Sequence, residues 1–223
     1  MPMNDEPTTR RSQAERTATA TRRMLRAAGS LIARQGYTKT SLAQVGKEAG
    51  YTGGLVSHRF GSKEGLLRAL VGEIMGRFHA DQLQPVTEGR TGLEALCAFA
   101  DAYLQELVAR EERMRTLYVL MGESLGPVSE INPVFAELNT EFRINARSWI
   151  AQGVQRGEIR PEVDPDAEAA LFVGKLRGVA MQWMAEPGCF DLEAVGASVK
   201  NSIHAALGVR RPDPAPAKEA PDP

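Results

Sequence analysis

The sequence predicts an all-α chain with a small N-terminal helical head and a larger helical body. Three observations carry this. Apolar residues recur at steps of three and four in segment after segment, and no alternating run of strand length interrupts them. Between Thr40 and Leu67, T-S-L-A-Q-V-G-K-E-A-G-Y-T-G-G-L-V-S-H-R-F-G-S-K-E-G-L-L reads as two short helices around a glycine turn, followed at once by a third. The two ends also differ in charge: residues 1–78 hold 13 Lys and Arg against 6 Asp and Glu, and the remainder 14 against 22.

The first helix is predicted from about Ala14 to Gln35, with Leu25, Ala28 and Ile32 on one stripe, Met24 and Leu31 beside it, and Gly36 as its stop. The helix-turn-helix occupies about 41–60: Leu42, Val45 and Ala49 form the seam of its first helix, Gly50 the turn, and Val56 and Phe60 the anchor of its second. Ser62 caps a fourth helix reaching roughly Phe78. A fifth shows Leu93, Leu96, Ala100, Tyr103 and Leu107 on one face; a sixth runs from about Glu112 to Leu125 and stops at Gly126-Pro127. The seventh carries Phe135, Leu138, Phe142, Ala146 and Trp149, and two prolines and a glycine in G-E-I-R-P-E-V-D-P-D make a loop after it. The eighth, about Pro165 to Ala185, and the ninth, Leu192 to Leu207, are apolar on more than one side. Such faces either cover the chain's own core or pair with symmetry mates, and we expect the second, a homodimer through helices eight and nine. The domains are thus expected as an arm over 1–12, a head over 13–78, a body over 79–209 and a proline-rich tail over 210–223, with arm and tail disordered.

Composition narrows the function. No run approaches the roughly 20 apolar residues of a membrane helix and no secretory signal opens the chain, so a cytoplasmic protein is expected. Cys97 and Cys189 match no metal spacing and read as reduced structural thiols; His58, His79 and His204 are far apart, so neither metal nor cofactor is expected. No nucleophile–base–orienter set or phosphate-cradling loop argues for an enzyme. A basic head on an acidic body suits a chain whose head meets the phosphates of double-stranded DNA.

Residues 27–67 resemble the N-terminal domain of the TetR family of transcriptional regulators, of the AcrR-like kind. The resemblance rests on A-R-Q-G-Y closing the first helix, T-S-L-A-Q-V-G-K-E-A-G, Gly54 in the recognition helix, and F-G-S-K-E-G-L-L; the body is similar in helical plan and in G-E-I-R-P-E-V-D-P-D-A-E-A-A followed by R-G-V-A-M-Q-W-M. It implies DNA contacts from Thr40, Ser41 and Gln44, from Thr52, Gly53, Gly54, Ser57, His58 and Arg59 on the recognition helix, and from Lys63 at the next helix start. Family members usually place tyrosine at Ser57 and histidine or tyrosine at Arg59; Arg59 can replace its contact with a forked, charge-assisted bond, whereas Ser57 shortens the reach. Gly53 either lets the helix sit deep in the groove or is merely tolerated there. Arg10, Arg11, Arg16, Arg22, Arg23 and Arg26 either extend the phosphate footprint or solvate the arm.

The resemblance further implies a homodimeric repressor on a palindromic operator, released when a small molecule enters a cavity among helices five to eight. Residues on faces not used by the main stripes are its expected lining: Phe99, Tyr118, Met121, Glu123, Phe142, Arg177 and Met181, a composition suited to an apolar effector. The competing reading is a helical small-molecule carrier that has lost operator binding, supported by Ser57 and Gly53.

Overall fold

A computed structural model describes residues 12–126 and 130–209 of the chain. The expected disordered arm, except Ser12, and the tail over 210–223 lie outside the described residues, as does Pro127 of the expected stop. Among the described residues there are nine helices, and the one extended pairing is an isolated antiparallel bridge between Ile159 and Gly208. No helix among them is long and apolar enough to cross a membrane.

The head comprises α1 (Gln13–Gln35), α2 (Leu42–Ala49), α3 (Gly53–Phe60) and α4 (Lys63–Phe78). Each starts where a hydroxyl satisfies an orphan amide. Ser12 Oγ accepts from Glu15 N at 3.1 Å while Glu15 returns the bond, Ser41 and Gln44 repeat this capping box, and Thr52 and Ser62 accept from Leu55 N and Gly65 N. Met24, Leu25, Ala28, Leu31 and Ile32 of α1 are buried against Val45, Val56, Leu66, Leu67 and Leu70 of the other three, the stripe the periodicity predicted.

The fourth helix does not stop at Phe78. It runs on through a π-turn over His79–Leu83 and one further α-turn over Gln84–Thr87. Pro85 has no N–H to donate, and in a regular helix its ring would press on the carbonyl of Asp81; a wider turn ahead of it relieves both. The boundary expected between Phe78 and His79 therefore falls inside a helical segment rather than in a linker.

The body comprises α5 (Gly92–Ala109), α6 (Glu111–Ser124), α7 (Ile131–Gln155), α8 (Pro165–Ala185) and α9 (Leu192–Leu207). Asp164 and Asp191 cap the last two through pairs of backbone amides. The start of α5 meets the end of α7 backbone to backbone: a Cβ on Gly153 would stand 3.0 Å from the Gly92 Cα, so neither position admits a side chain without movement. At the centre lies Phe99, 2 % exposed, its ring 5.6–6.1 Å from those of Phe78, Tyr103, Phe142, Trp149 and Phe172. Four helices thus converge on one side chain, in edge-on and tilted geometries except for Tyr103, whose ring is stacked at 18°.

The last two helices each have a buried and an exposed face. On α8, Ala169, Phe172, Val173, Leu176 and Ala180 are buried, while Leu171, Gly174, Gly178 and Met181 face outward with the two large side chains 62 % and 64 % exposed. On α9, Val199, Ile203 and Leu207 are buried and Ala194, Ala197, Asn201 and Ala205 are exposed.

Phe99→Ala is expected to destabilise the chain by about 3–5 kcal/mol, the usual cost of deleting a buried aromatic ring, read as a lower denaturant midpoint.

Candidate DNA-binding face and effector cavity

The turn of the helix-turn-helix is built from glycines for two different reasons. Gly50 has φ +78°, ψ +31°, the left-handed conformation that lets its N–H reach back to the carbonyls of Gly46 and Lys47. Gly46 and Gly53 are glycines because α2 and α3 touch there: a Cβ on Gly46 would lie 2.6 Å from the Thr52 carbonyl carbon, and one on Gly53 would lie 2.8 Å from the Ala43 Cα. The absent side chain of Gly53 thus faces α2, which accounts for it without any groove contact. At Gly54 a Cβ would find only Thr52 Oγ1, at 3.9 Å, and the residue is exposed.

The side chains expected on DNA fall into two groups. Ser41, Gln44, Thr52, Ser57, His58 and Arg59 are exposed, the last three together on the outer face of α3, and Val56 just before them is fully buried. Gln44 is half committed, since its Oε1 accepts from Ser41 N at 2.8 Å; its amide nitrogen stays free. Thr40 does not belong with them. It is 3 % exposed and its hydroxyl donates to the Gly36 carbonyl at 2.7 Å, closing the turn between α1 and α2. Lys63 also turns inward: Nζ donates to the Thr38 carbonyl at 3.2 Å and lies 4.2 Å from the Tyr37 ring centroid, and burial lowers its pKa below the ordinary lysine value.

Glu123, expected in the effector cavity, is instead the clasp between body and head. Its carboxylate accepts from Tyr37 N at 3.0 Å and from Thr38 N and Thr38 Oγ1, both at 3.2 Å. Gly36, at φ +83°, clears space for it: a Cβ there would stand 2.2 Å from Glu123 Oε1. Two turns earlier on α6, the buried Thr116 donates to the Gly29 carbonyl of α1 at 3.1 Å. α6 thereby holds both the middle and the end of α1.

The interior offers a small cavity of about 20 Å³, room for one water, bounded by α4, α5, α6, α7 and α8. Tyr118, Met121, Phe142 and Arg177 line it as expected. The Tyr118 and Tyr103 hydroxyls are 2.8 Å apart, and burial pushes both phenols above their usual range. Arg177 is bonded to Asn139 Oδ1 and stands 5.5 Å from the Phe142 ring centroid. Phe99 packs behind the lining in the aromatic core, and Met181 points away on the outer face of α8, because the helix turns its inner face through Leu176 and Ala180 instead.

Glu106 is a further member of the cavity lining. It is 2 % exposed and pairs with Arg113 at 2.8 Å through Oε1 while Oε2 has no partner. Burial raises its carboxyl above the ordinary range, with Arg113 and Arg110 opposing and Asp81 adding to the rise. Its signal was available: a carboxylate three residues after Tyr103 and one before Leu107, on a helix otherwise apolar at those steps.

Fold and site define a helix-turn-helix regulator with a separate helical sensing body. Residues 24–70 match the family described as bacterial regulatory proteins, tetR family, and residues 92–208 match the BetI-type transcriptional repressor C-terminal family. The chain belongs to the TetR family of transcriptional regulators. It is 26 % identical over 176 residues to the fatty acid metabolism regulator protein of Bacillus subtilis, covering 78 % of this chain and 88 % of that one. It is 25 % identical over 180 residues to the transcriptional repressor KstR2 of Rhodococcus jostii, covering 77 % and 83 %. Solved structures share the fold: a SmeT–triclosan complex superposes with a TM-score of 0.74 at 21 % identity over 92 % of this chain and 99 % of that one. FadR of Bacillus subtilis with stearoyl-CoA gives 0.72 at 22 % over 82 % and 96 %.

Two glycine substitutions separate packing from recognition. Gly53→Ala is expected to lower the melting temperature, since the Ala43 backbone must shift. Gly54→Ala should raise stability by up to about 1 kcal/mol through helix propensity, and a loss of DNA affinity in that variant would show that DNA approaches the backbone at residue 54.

Proposed function

We propose that the chain is a cytoplasmic repressor that binds a palindromic operator as a homodimer and is released by a small, largely apolar effector. The observation that carries this reading is that α6 both lines the inner cavity, through Tyr118 and Met121, and grips the head, through Glu123. A ligand larger than one water must enlarge that cavity, and α6 cannot move without pulling on the turn that leads into α2. Base readout falls to Ser57, His58 and Arg59, with Thr52, Ser41, Gly54 and the Gln44 amide beside them. Lys63 joins only by leaving the Thr38 carbonyl.

Two copies are needed because one recognition helix reads only a half-site, and two must be spaced near one turn of duplex, about 34–36 Å, or a multiple. The outward faces of α8 and α9 suit such pairing. Gly174 and Gly178 have no atom within 4 Å of an added Cβ, so a partner helix can approach closely beside Leu171 and Met181. An effector that changes the spacing of the heads lowers operator affinity, and linkage requires the operator to lower effector affinity equally. Ligand-bound relatives, with stearoyl-CoA in one and triclosan in another, support the effector. The carrier alternative loses one of its two supports, since packing accounts for Gly53.

Selection from random duplexes is expected to enrich an inverted repeat, and light scattering to give twice the 24.2 kDa chain mass. No enrichment at moderate salt, or a strict monomer at micromolar concentration, refutes the reading. Glu123→Ala is expected to speed hydrogen exchange at the Tyr37 and Thr38 amides on the order of tenfold or more, since bonds to a charged acceptor contribute about 1.5–3 kcal/mol. It should also weaken operator binding; unchanged exchange would remove Glu123 from the coupling.

A further inference from the structure

A cleft of about 430 Å³ opens on the surface where head meets body, between α1, α4 and the turn joining α5 to α6. Its walls include Gly29 and Thr116, whose hydrogen bond joins α1 to α6, and its apolar lining is Leu25, Leu70, Ile74 and Ala109. No residue of α8 or α9 contributes, so the face proposed for pairing lies elsewhere.

Its uncommitted charge is positive and comes from both sides. Of the carboxylates, Glu73 is paired with Arg77 and Glu111 with Arg115, which leaves Glu112. Against it stand Arg22 and Arg26 of α1 and Arg110 of the turn, all exposed and without an ion pair among the described residues. Arg113 adds a fourth guanidinium. One of its nitrogens is held at 2.8 Å by the buried Glu106, and it has further N–H groups to offer. Like charges brought to one cleft from head and body repel, and an anion between them relieves the repulsion. α6 also begins here with no side-chain cap, which adds the positive end of its dipole.

We propose that this cleft is a second small-molecule site, for a compact diphosphate, free or carried on a nucleoside. Three unpaired guanidiniums against one unpaired carboxylate call for an anion of at least two charges. Guanidinium forks match phosphate oxygens, and a diphosphate presents oxygens on several sides, so Arg22 and Arg26 hold it from α1 while Arg110 and Arg113 hold it from the body. Glu106 is a positioning residue, since its buried carboxylate fixes one nitrogen of Arg113 at the cleft wall. The cleft has the size of a small-molecule site, and the apolar lining beside the arginines gives a nucleoside base a surface to cover. Occupancy ties α1 to the α5–α6 turn across the junction of head and body. It reaches the head without passing through the inner cavity, and the inference does not rest on the effector reading of that cavity.

Calorimetric titration of the full-length chain with ADP, pyrophosphate and adenosine, in magnesium-free buffer at about 0.15 M salt, tests it. One or both diphosphates are expected to bind one per chain, at least about tenfold more tightly than adenosine, because charge-assisted contacts to arginine are lost with the phosphates. The ratio of the two affinities tells a nucleotide from a bare diphosphate. Arg22→Gln combined with Arg110→Gln, both at exposed positions that leave the core intact, should lower the diphosphate affinity at least about tenfold. Adenosine binding as tightly as the diphosphates, an affinity that survives the two cleft substitutions, or no saturable binding of either diphosphate overturns the proposal. So does an affinity that falls with Arg59→Gln and not with the cleft variant, which would place the anion on the outer face of α3.

Discussion

The turn that leads from α1 into α2 depends on one body side chain, the carboxylate of Glu123. The turn between α1 and α2 is a six-residue link with a glycine at positive φ and two backbone amides that no helix satisfies. A body residue supplies the missing acceptor, and Thr40 and Lys63 close the same turn from the head side. The link is therefore not a flexible tether. It is a corner whose hydrogen bonds require both domains to be in place, so its geometry reports where α6 stands.

The interior beyond that corner is nearly full. Phe99 gathers rings from α4, α5, α7 and α8, and the space left over accommodates a single water. Polar atoms stand only at its margins: paired tyrosine hydroxyls, Arg177 held by Asn139, and Glu106 held by Arg113. A buried carboxylate with one unpartnered oxygen is costly for a fold to keep, and burial displaces its titration upward while Arg113 opposes the rise. Such a group at the edge of an apolar cavity gives the body a polarity that a uniformly apolar lining would lack.

The reading head shows the reverse economy, with contact achieved by removing atoms. α2 and α3 cross at Gly46 and Gly53, closely enough that a methyl group on either would meet backbone. That closeness is what leaves Ser57, His58 and Arg59 together on the outer face while Val56 is wholly buried.

Most of the fold was legible because local rules decide it. Ser41, Thr52 and Ser62 mark helix starts by hydroxyl capping, Gly50 marks a left-handed stop, and steps of three and four mark the faces of α1, α5, α7, α8 and α9; each depends on residues within one or two turns. The exposed face of α3 and four of the seven cavity residues followed from the same periodicity. Where periodicity gave two equivalent faces, as at Met181, or where no breaker stood before Pro85, local pattern could not decide, and packing did. The uses of Glu123, Thr40, Lys63, Gly53 and Glu106 were legible from no window of the chain, because each is set by an atom brought near by folding: a body carboxylate 86 residues from Tyr37, the Gly36 carbonyl under a turn, the Ala43 backbone, the Arg113 guanidinium. By itself the sequence determined an all-α regulator with a helix-turn-helix head. Only the tertiary structure decided which polar groups of the head are exposed, which face one another and which are buried, since burial and partnership are properties of the packed molecule.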